Sequence, residues 1–387
     1  MPMKKRIKPG ALIPVLTTFY VMGFVDLVGM ATGYVKEDFQ LSDSLAQLLP
    51  SMVFLWFALL SIPTGVFQDR RGKKLTAKLG MLLTALGLMV PFLHYSYLTT
   101  IIGFMILGIG NSILQVSANP LLLDISKDDS KAANLSLSQF IKASAAMLGP
   151  VIAALLVRFT GNWKLIFPIY AGISLLSVAW LYSVKIDESK PDKKPATFGS
   201  VLALFRKPFV LIMVFSTFLM VGFDVGINSN IANFLKTRFD LSLESASMGI
   251  TVYFASLMAG RFTGAILLRK TNPDRFLIWS VVISLAGLVG LILSGNLIVI
   301  WAMIVVTGLG FSNTFPIVFA KIVDHMPEYA NELSSLIILS AIGGAVIPPV
   351  MGVLSDQAGV TASMSVLVFC ILYVLFASLY SIRTKKK

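Results

Sequence analysis

The sequence predicts an all-α integral membrane protein, with twelve transmembrane helices in two pseudo-symmetric six-helix bundles. Three observations carry this: apolar stretches of spanning length, a one-sided distribution of basic residues, and an internal repeat. Of 387 residues, 56% are hydrophobic and 13% charged, and mean hydropathy is +0.83. Bilayer hydrocarbon is ~30 Å thick, so a spanning helix needs roughly 20 mostly apolar residues. Lipid offers no hydrogen-bond partners, which makes these stretches helices rather than irregular chain.

Taken in order, the expected spans are 12–34, 46–67, 76–94, 98–122, 134–158 and 163–184, then 208–233, 245–267, 276–293, 297–320, 332–354 and 361–382. The first follows the basic run Lys4, Lys5, Arg6, Lys8 and is a full-length span, so no cleavable signal peptide is expected. The second ends in a basic loop. Span four carries Gln115, Asn119 and Pro120, and span five a small-residue face of Ala143, Ala146 and Gly149 suited to helix packing. Span seven holds Asp224 and Asn228, and span eight Arg261. Span eleven contains Gly343, Gly344, Pro348 and Pro349, expected to serve flexibility and close packing, and span twelve the only cysteine, Cys370.

With an even number of spans both termini share one side. That side collects 25 of the 32 Lys and Arg residues, the other has five (Lys36, Arg158, Lys164, Lys236, Arg238), and Lys142 and Arg261 stay inside. The basic side is cytoplasmic, which predicts insertion in a plasma membrane of the bacterial inner-membrane type. The net charge of +13 is therefore a topology signal and does not point to nucleic acid. One cysteine excludes an intrachain disulfide, and two separated histidines, His94 and His325, argue against a metal or catalytic site. No cofactor is expected, and a membrane enzyme is disfavoured for the same reasons.

Segment 185–200 (KIDESKPDKKPATFGS) is the longest polar stretch, and reads as a linker. The expected domains are 1–184, a linker over 185–207, and 208–387. The stretch from Gly23 to Ser42 parallels that from Gly222 to Ser242, with Lys36, Phe39, Leu41 and Ser42 matching Lys236, Phe239, Leu241 and Ser242. LGIGNS at 107–112 likewise parallels TGLGFS at 307–312. Internal repeats around a midplane site are typical of secondary transporters.

The loop after span two reads Gly65-Val-Phe-Gln-Asp69-Arg70-Arg71-Gly72-Lys73-Lys74. Gly65 is expected to allow close helix approach, Gly72 a tight turn, Asp69 to cap a neighbouring helix N-terminus, and the basic residues, Arg70 among them, to hold the loop in the cytoplasm. This run resembles the loop signature of the major facilitator superfamily. Span four, Gln115-Val-Ser-Ala-Asn119-Pro120, then Leu137-Ser-Gln-Phe-Ile-Lys142, Gly260-Arg-Phe-Thr-Gly264 and Ile342 to Gly352, resembles one branch, the fucose/glucose/galactose–proton symporters. The resemblance implies the twelve-helix rocker fold and uptake of a sugar. It also marks departures: Gln115 stands where that branch has a membrane glutamate, and Lys142 where it has a sugar-binding asparagine.

A charge at the bilayer centre costs ~2.5–3.5 kcal/mol on insertion scales, so each demands a partner or a wet cavity. Asp26 and Asp224 hold nearly equivalent repeat positions. Asp26 is read as the proton carrier or a hydroxyl acceptor, or else the partner neutralising Lys142. Lys142 is read as contact to an anionic substrate, switching counter-ion or snorkelling lysine. Gln115, Asn119, Asp224 and Asn228 are expected to bind substrate hydroxyls. Tyr20, Trp56, Tyr253 and Phe315 are candidates to stack on a sugar ring, and Arg261 to snorkel or gate. The expectation is a monomeric secondary active transporter taking up a monosaccharide by alternating access, coupled to H+ through Asp26 and Lys142. Its alternatives are an anionic, hexuronate-like sugar held by Lys142, and a Na+-coupled or uniport carrier.

Overall fold

The computed structural model describes residues 10–126, 131–188, 198–268 and 270–385, and among them every regular element is helical. Twelve helices are long and apolar enough to cross a membrane: α1 Leu12–Asp38, α2 Asp43–Arg71, α3 Lys73–Leu93, α4 Tyr97–Ile125, α5 Leu137–Thr160, α6 Trp163–Ser183, α7 Pro208–Phe239, α8 Leu243–Leu267, α9 Pro273–Leu293, α10 Leu297–His325, α11 Glu332–Ala358 and α12 Val360–Thr384. Every expected span is present. Most run several residues further than hydropathy marks, because helix continues into the polar membrane boundary where side chains cap it. Ser42, Ser96, Asn272 and Asn296 each accept a main-chain N–H in a helix first turn, a cap worth about 1 kcal/mol apiece. Of the basic residues invoked for topology, Lys4, Lys5, Arg6, Lys8, Lys127, Lys190, Lys193, Lys194, Arg269, Lys386 and Lys387 lie outside the described residues.

In each half, four helices interlock and the others flank them. Helices α3, α4 and α2 pack together with α6 outside, and α9, α10 and α8 do the same with α12. On the outer faces the exposed side chains are large and apolar, among them Leu86, Leu176, Trp279 and Phe369, as hydrocarbon requires. The halves meet along α1–α7, α2–α11 and α5–α8.

The repeat is now a matter of geometry. Among the described residues, Gln40 and Asp240 are the two non-glycine residues with positive φ, at 51° and 52°, each two residues before an equivalent N-cap serine. Gly108 lies against the Val53 carbonyl and Gly308 against that of Tyr253, so a Cβ would come within 2.4 and 2.9 Å. Gly110 and Gly310 face residues 80/84 and 280/284 in the same way. All these pairs are 200 residues apart. Close backbone contact at small residues is how membrane helices gain packing energy, and both halves use one set of crossings.

Besides a turn at Gln47 near the start of α2, three helices are interrupted within the membrane. A 3-10 turn at Gly23–Asp26 breaks α1 and another at Ser340–Ile342 breaks α11, while α10 breaks at Ser312 and Asn313. Irregular backbone at membrane depth is tolerated where protein or a cavity satisfies it.

Candidate functional site

The break in α1 follows from a crossing. Gly23 sits on the main-chain carbonyl of Lys142 in α5, where a Cβ would lie 2.3 Å from that oxygen. Its repeat partner Gly222 sits on Gly343 and Ile347 of α11, with a Cβ 3.1 Å from the Gly343 carbonyl. The same crossing therefore carries a lysine in one half and a glycine in the other. It brings Lys142 beside the turn that ends in Asp26.

Asp26 and Lys142 are both partly buried, and among the described residues they form no ion pair with each other. Electrostatically they are close: Lys142 is the charge that acts most strongly on Asp26, and Asp26 the one that acts most strongly on Lys142. Asp224 and Arg261 belong to the same group, Arg261 being the cation that acts most strongly on Asp224. Two acids and two bases thus share the interior, one acid–base couple per half. Arg261 lies between Gly260 and Gly264, which press on Ser312 and Asn313 at the break in α10; the Asn313 side-chain amide donates to the Gly260 carbonyl at 2.7 Å.

Gln115 and Asn119 stand one turn apart on one face of α4. Both are partly buried and make no side-chain hydrogen bond among the described residues. Tyr20 is partly buried, edge-on to Phe24 at 5.5 Å. Trp56 is partly buried with an unpartnered indole N–H, and Phe315 is 37% exposed.

Two expectations require correction. Tyr253 is fully buried, so its ring offers no face to a sugar; its hydroxyl donates to Asp224 Oδ1 at 2.8 Å instead. Asn228 is 2% exposed, which removes it from any substrate-facing wall in this conformation. Its Nδ2 donates to the Asp26 carbonyl at 3.0 Å, across the interface of the halves, while its Oδ1 is unpartnered against Gly29.

The hydrogen bonds that join the halves concentrate from the membrane middle toward the α1–α2, α7–α8 and α11–α12 turns. Lys36 donates across to Asn233 at 2.9 Å while paired with Asp43 of its own half at 2.5 Å, and Asn233 donates to Asp43. Lys236 reaches Glu37, and Ser355 donates to Asp43. Asp356 accepts the main-chain N–H groups of Asp43 and Ser44. Deeper in, Gln47 donates to Asn230, Ser51 to the Ala345 carbonyl and Thr251 to the Met147 carbonyl. Toward the termini the charged pairs run within a half instead, as in Lys73–Asp124 and Lys321–Asp274. The interior is sealed on the side opposite the termini.

A family profile described as the Major Facilitator Superfamily matches residues 15–341. The chain belongs to the major facilitator superfamily. It is a transporter, not an enzyme. The glucose/galactose transporter of Brucella abortus biovar 1 is 23% identical over 388 residues, covering 95% of this chain and 93% of its own. The L-fucose-proton symporter of Escherichia coli is 22% identical over 358 residues, covering 84% of this chain and 82% of its own. A crystal structure of that fucose:proton symporter superposes with a TM-score of 0.71 at 20% identity, over 96% of this chain and 98% of its own. A bacterial homolog of the human lysosomal transporter Spinster superposes with a TM-score of 0.78 at 18% identity, over 99% of this chain and 98% of its own. These likenesses show the fold.

The superfamily's loop signature is built differently from expectation. Gly72 does make the turn, at φ +92°. Gly65 has no atom within 4 Å of where a Cβ would stand, so it is not a close-approach glycine in this conformation. Asp69 makes no hydrogen bond among the described residues. The acid that caps α3 is Glu188 from the linker, which accepts the main-chain N–H groups of Lys73 and Lys74. Lys74 returns the tie by donating to the Val184 carbonyl at 2.5 Å. Arg70 is exposed. Glu188, Asp43 and Asp356 are the residues that sequence reasoning missed: an acid within a polar linker or at a helix end looks like solvated charge until its partner, far away in the chain, is known.

Proposed function

We propose that this transporter takes up a neutral monosaccharide or closely related sugar together with H+, by alternating access. Its relatives' names supply the substrate class, a glucose/galactose transporter and an L-fucose-proton symporter that align along most of the chain. The observation that carries the charge class is the balanced interior. Asp26, Lys142, Asp224 and Arg261 sum to zero, yet none is ion-paired with another among the described residues. A neutral sugar adds no charge of its own to that balance before the proton binds. An anion binding ahead of the proton would leave one uncompensated charge at membrane depth, at a cost of ~2.5–3.5 kcal/mol.

In this reading Asp26 exchanges the proton. It stands at a broken turn, with its carboxyl free of hydrogen bonds among the described residues and Lys142 as counter-ion. Gln115 and Asn119 supply open amides that donate to and accept from sugar hydroxyls. Both termini are cytoplasmic by the basic excess, so the sealed side is external. Uptake requires the external bonds to break and a second seal to form near the termini. The protein works as a monomer in a bacterial inner-membrane-type bilayer.

The test is counterflow in proteoliposomes: vesicles loaded with unlabelled sugar are offered labelled glucose, galactose, L-fucose or glucuronate. Exchange of a neutral hexose supports the reading. Exchange of glucuronate alone overturns it in favour of an anion site at Lys142, and dependence of accumulation on Na+ rather than a proton gradient overturns the coupling ion.

A further inference from the structure

Two acids face the interior from nearly equivalent repeat positions, and the fold restrains them differently. Asp224 Oδ1 accepts from the Tyr253 hydroxyl at 2.8 Å. That tyrosine is fully buried, and its backbone is clamped by Gly308, where a Cβ would lie 2.9 Å from the Tyr253 carbonyl and 3.4 Å from its ring. The other carboxylate oxygen of Asp224 makes no hydrogen bond among the described residues, and the residue is only partly buried.

Among the described residues Asp26 has no such side-chain donor. The crossing of Gly308 on Tyr253 recurs as Gly108 on Val53, 200 residues earlier, so valine occupies the position equivalent to the tyrosine. At these equivalent positions the duplicated scaffold carries a hydroxyl in one half and a methyl-bearing side chain in the other. What restrains Asp26 is its main chain, through Asn228.

We propose that Tyr253 is a positioning residue that orients Asp224 as a fixed acceptor for a substrate hydroxyl, which leaves Asp26 as the acid that exchanges the proton. The proposal rests on the sugar-uptake reading and divides the work of the two acids within it. Asp224 is faced by Tyr253 and Arg261 of α8, Lys142 of α5 and Asp26 of α1. A phenolic donor fixes the carboxylate plane, so the free oxygen presents its lone pairs in one direction. A preorganised acceptor of this kind gives affinity by lowering the ordering cost of binding. Loss of the clamp therefore acts on apparent affinity, not on coupling.

Counterflow separates the two roles, since exchange of sugar for sugar needs no net proton movement. With Tyr253→Phe we expect the KM for exchange to rise about tenfold, the maximal exchange rate to hold, and the proton-to-sugar ratio to stay at the wild-type value. Asp224→Asn should weaken exchange and gradient-driven accumulation together. Asp26→Asn should keep exchange and lose accumulation. Because a variant can simply misfold, a second measurement uses the wild-type protein with singly deoxygenated sugars. One deoxysugar should show a similar rise in KM, with little further loss when Asp224→Asn is added. The inference is overturned if Tyr253→Phe abolishes accumulation at unchanged exchange KM, if Asp224→Asn keeps exchange while losing accumulation, or if every deoxysugar loses further affinity in Asp224→Asn as an independent site would. Absence of exchange by the wild type with all sugars would instead sink the sugar reading itself.

Discussion

The Asp356 carboxylate accepts the main-chain N–H groups of Asp43 and Ser44 at 2.7 and 3.0 Å. An acid at the end of α11 thus holds the first turn of α2 in the other half, where the helix dipole favours an anion. Gly352 makes this possible, since a Cβ there would lie 2.8 Å from the Asp43 carbonyl. The repeat counterpart of Asp356, 200 residues earlier in α5, is Leu156, whose side chain offers no acceptor to the first turn of α8. The latch belongs to one pair of helices and is not a by-product of the duplication.

Breaking it should shift the resting conformation. Asp356→Asn removes a charge-assisted pair worth about 1.5–3 kcal/mol, enough to move a two-state population by roughly 10- to 100-fold. Spin labels placed at the outer ends of α2 and α11 should report a growing long-distance population. An unchanged distance distribution would mean that the remaining bonds of the seal suffice.

The crossing at Gly23 should tolerate nothing larger. Gly23→Val drives side-chain atoms into the Lys142 carbonyl and the Ala145 methyl, so transport should be lost and thermal stability should fall. Gly65→Ala, with open space around it, should leave the Tm unchanged. Equal sensitivity at both positions would show that the crossing is not what the glycine serves.

Linker and bundle should be coupled through Glu188. Replacing it with Ala removes the cap on α3, a loss of about 1 kcal/mol, and should lower the Tm measured in detergent. Asp69→Asn should have the smaller effect on the same measurement. The reverse order would return the capping role to Asp69.

If Lys142 is a counter-ion, its removal should change proton handling more than recognition. Lys142→Asn should preserve counterflow of a neutral sugar while altering the pH dependence of accumulation. Loss of counterflow at every pH would make Lys142 a direct contact to the substrate.

The twelve spans were legible because hydropathy at spanning length has one solution in a bilayer. The repeat was legible because Ser42 and Ser242, with the glycines of α4 and α10, keep one register. The breaks in α1, α10 and α11 were not, since they arise where helices cross: nothing local in Gly-Phe-Val-Asp demands a 3-10 turn. Site residues were legible only as chemistry. Asp26, Lys142 and Asp224 stand out as charges in apolar helices, but which way Tyr253 and Asn228 serve depends on a neighbour: Asp224 lies 29 residues from Tyr253, and Asp26 lies 202 residues from Asn228. The seal escaped notice for the same reason. Asp43 and Ser355 meet across 312 residues, and single-sequence patterns hold no record of such a pairing.

The most direct measurement is sugar-induced proton movement in proteoliposomes at zero membrane potential, read by a pH dye outside the vesicles. Adding a neutral hexose down its gradient should alkalinise the exterior in the wild type, with no such response in Asp26→Asn. A wild type that exchanges the sugar without moving protons, or that responds only to a hexuronate, would contradict neutral-sugar symport through Asp26.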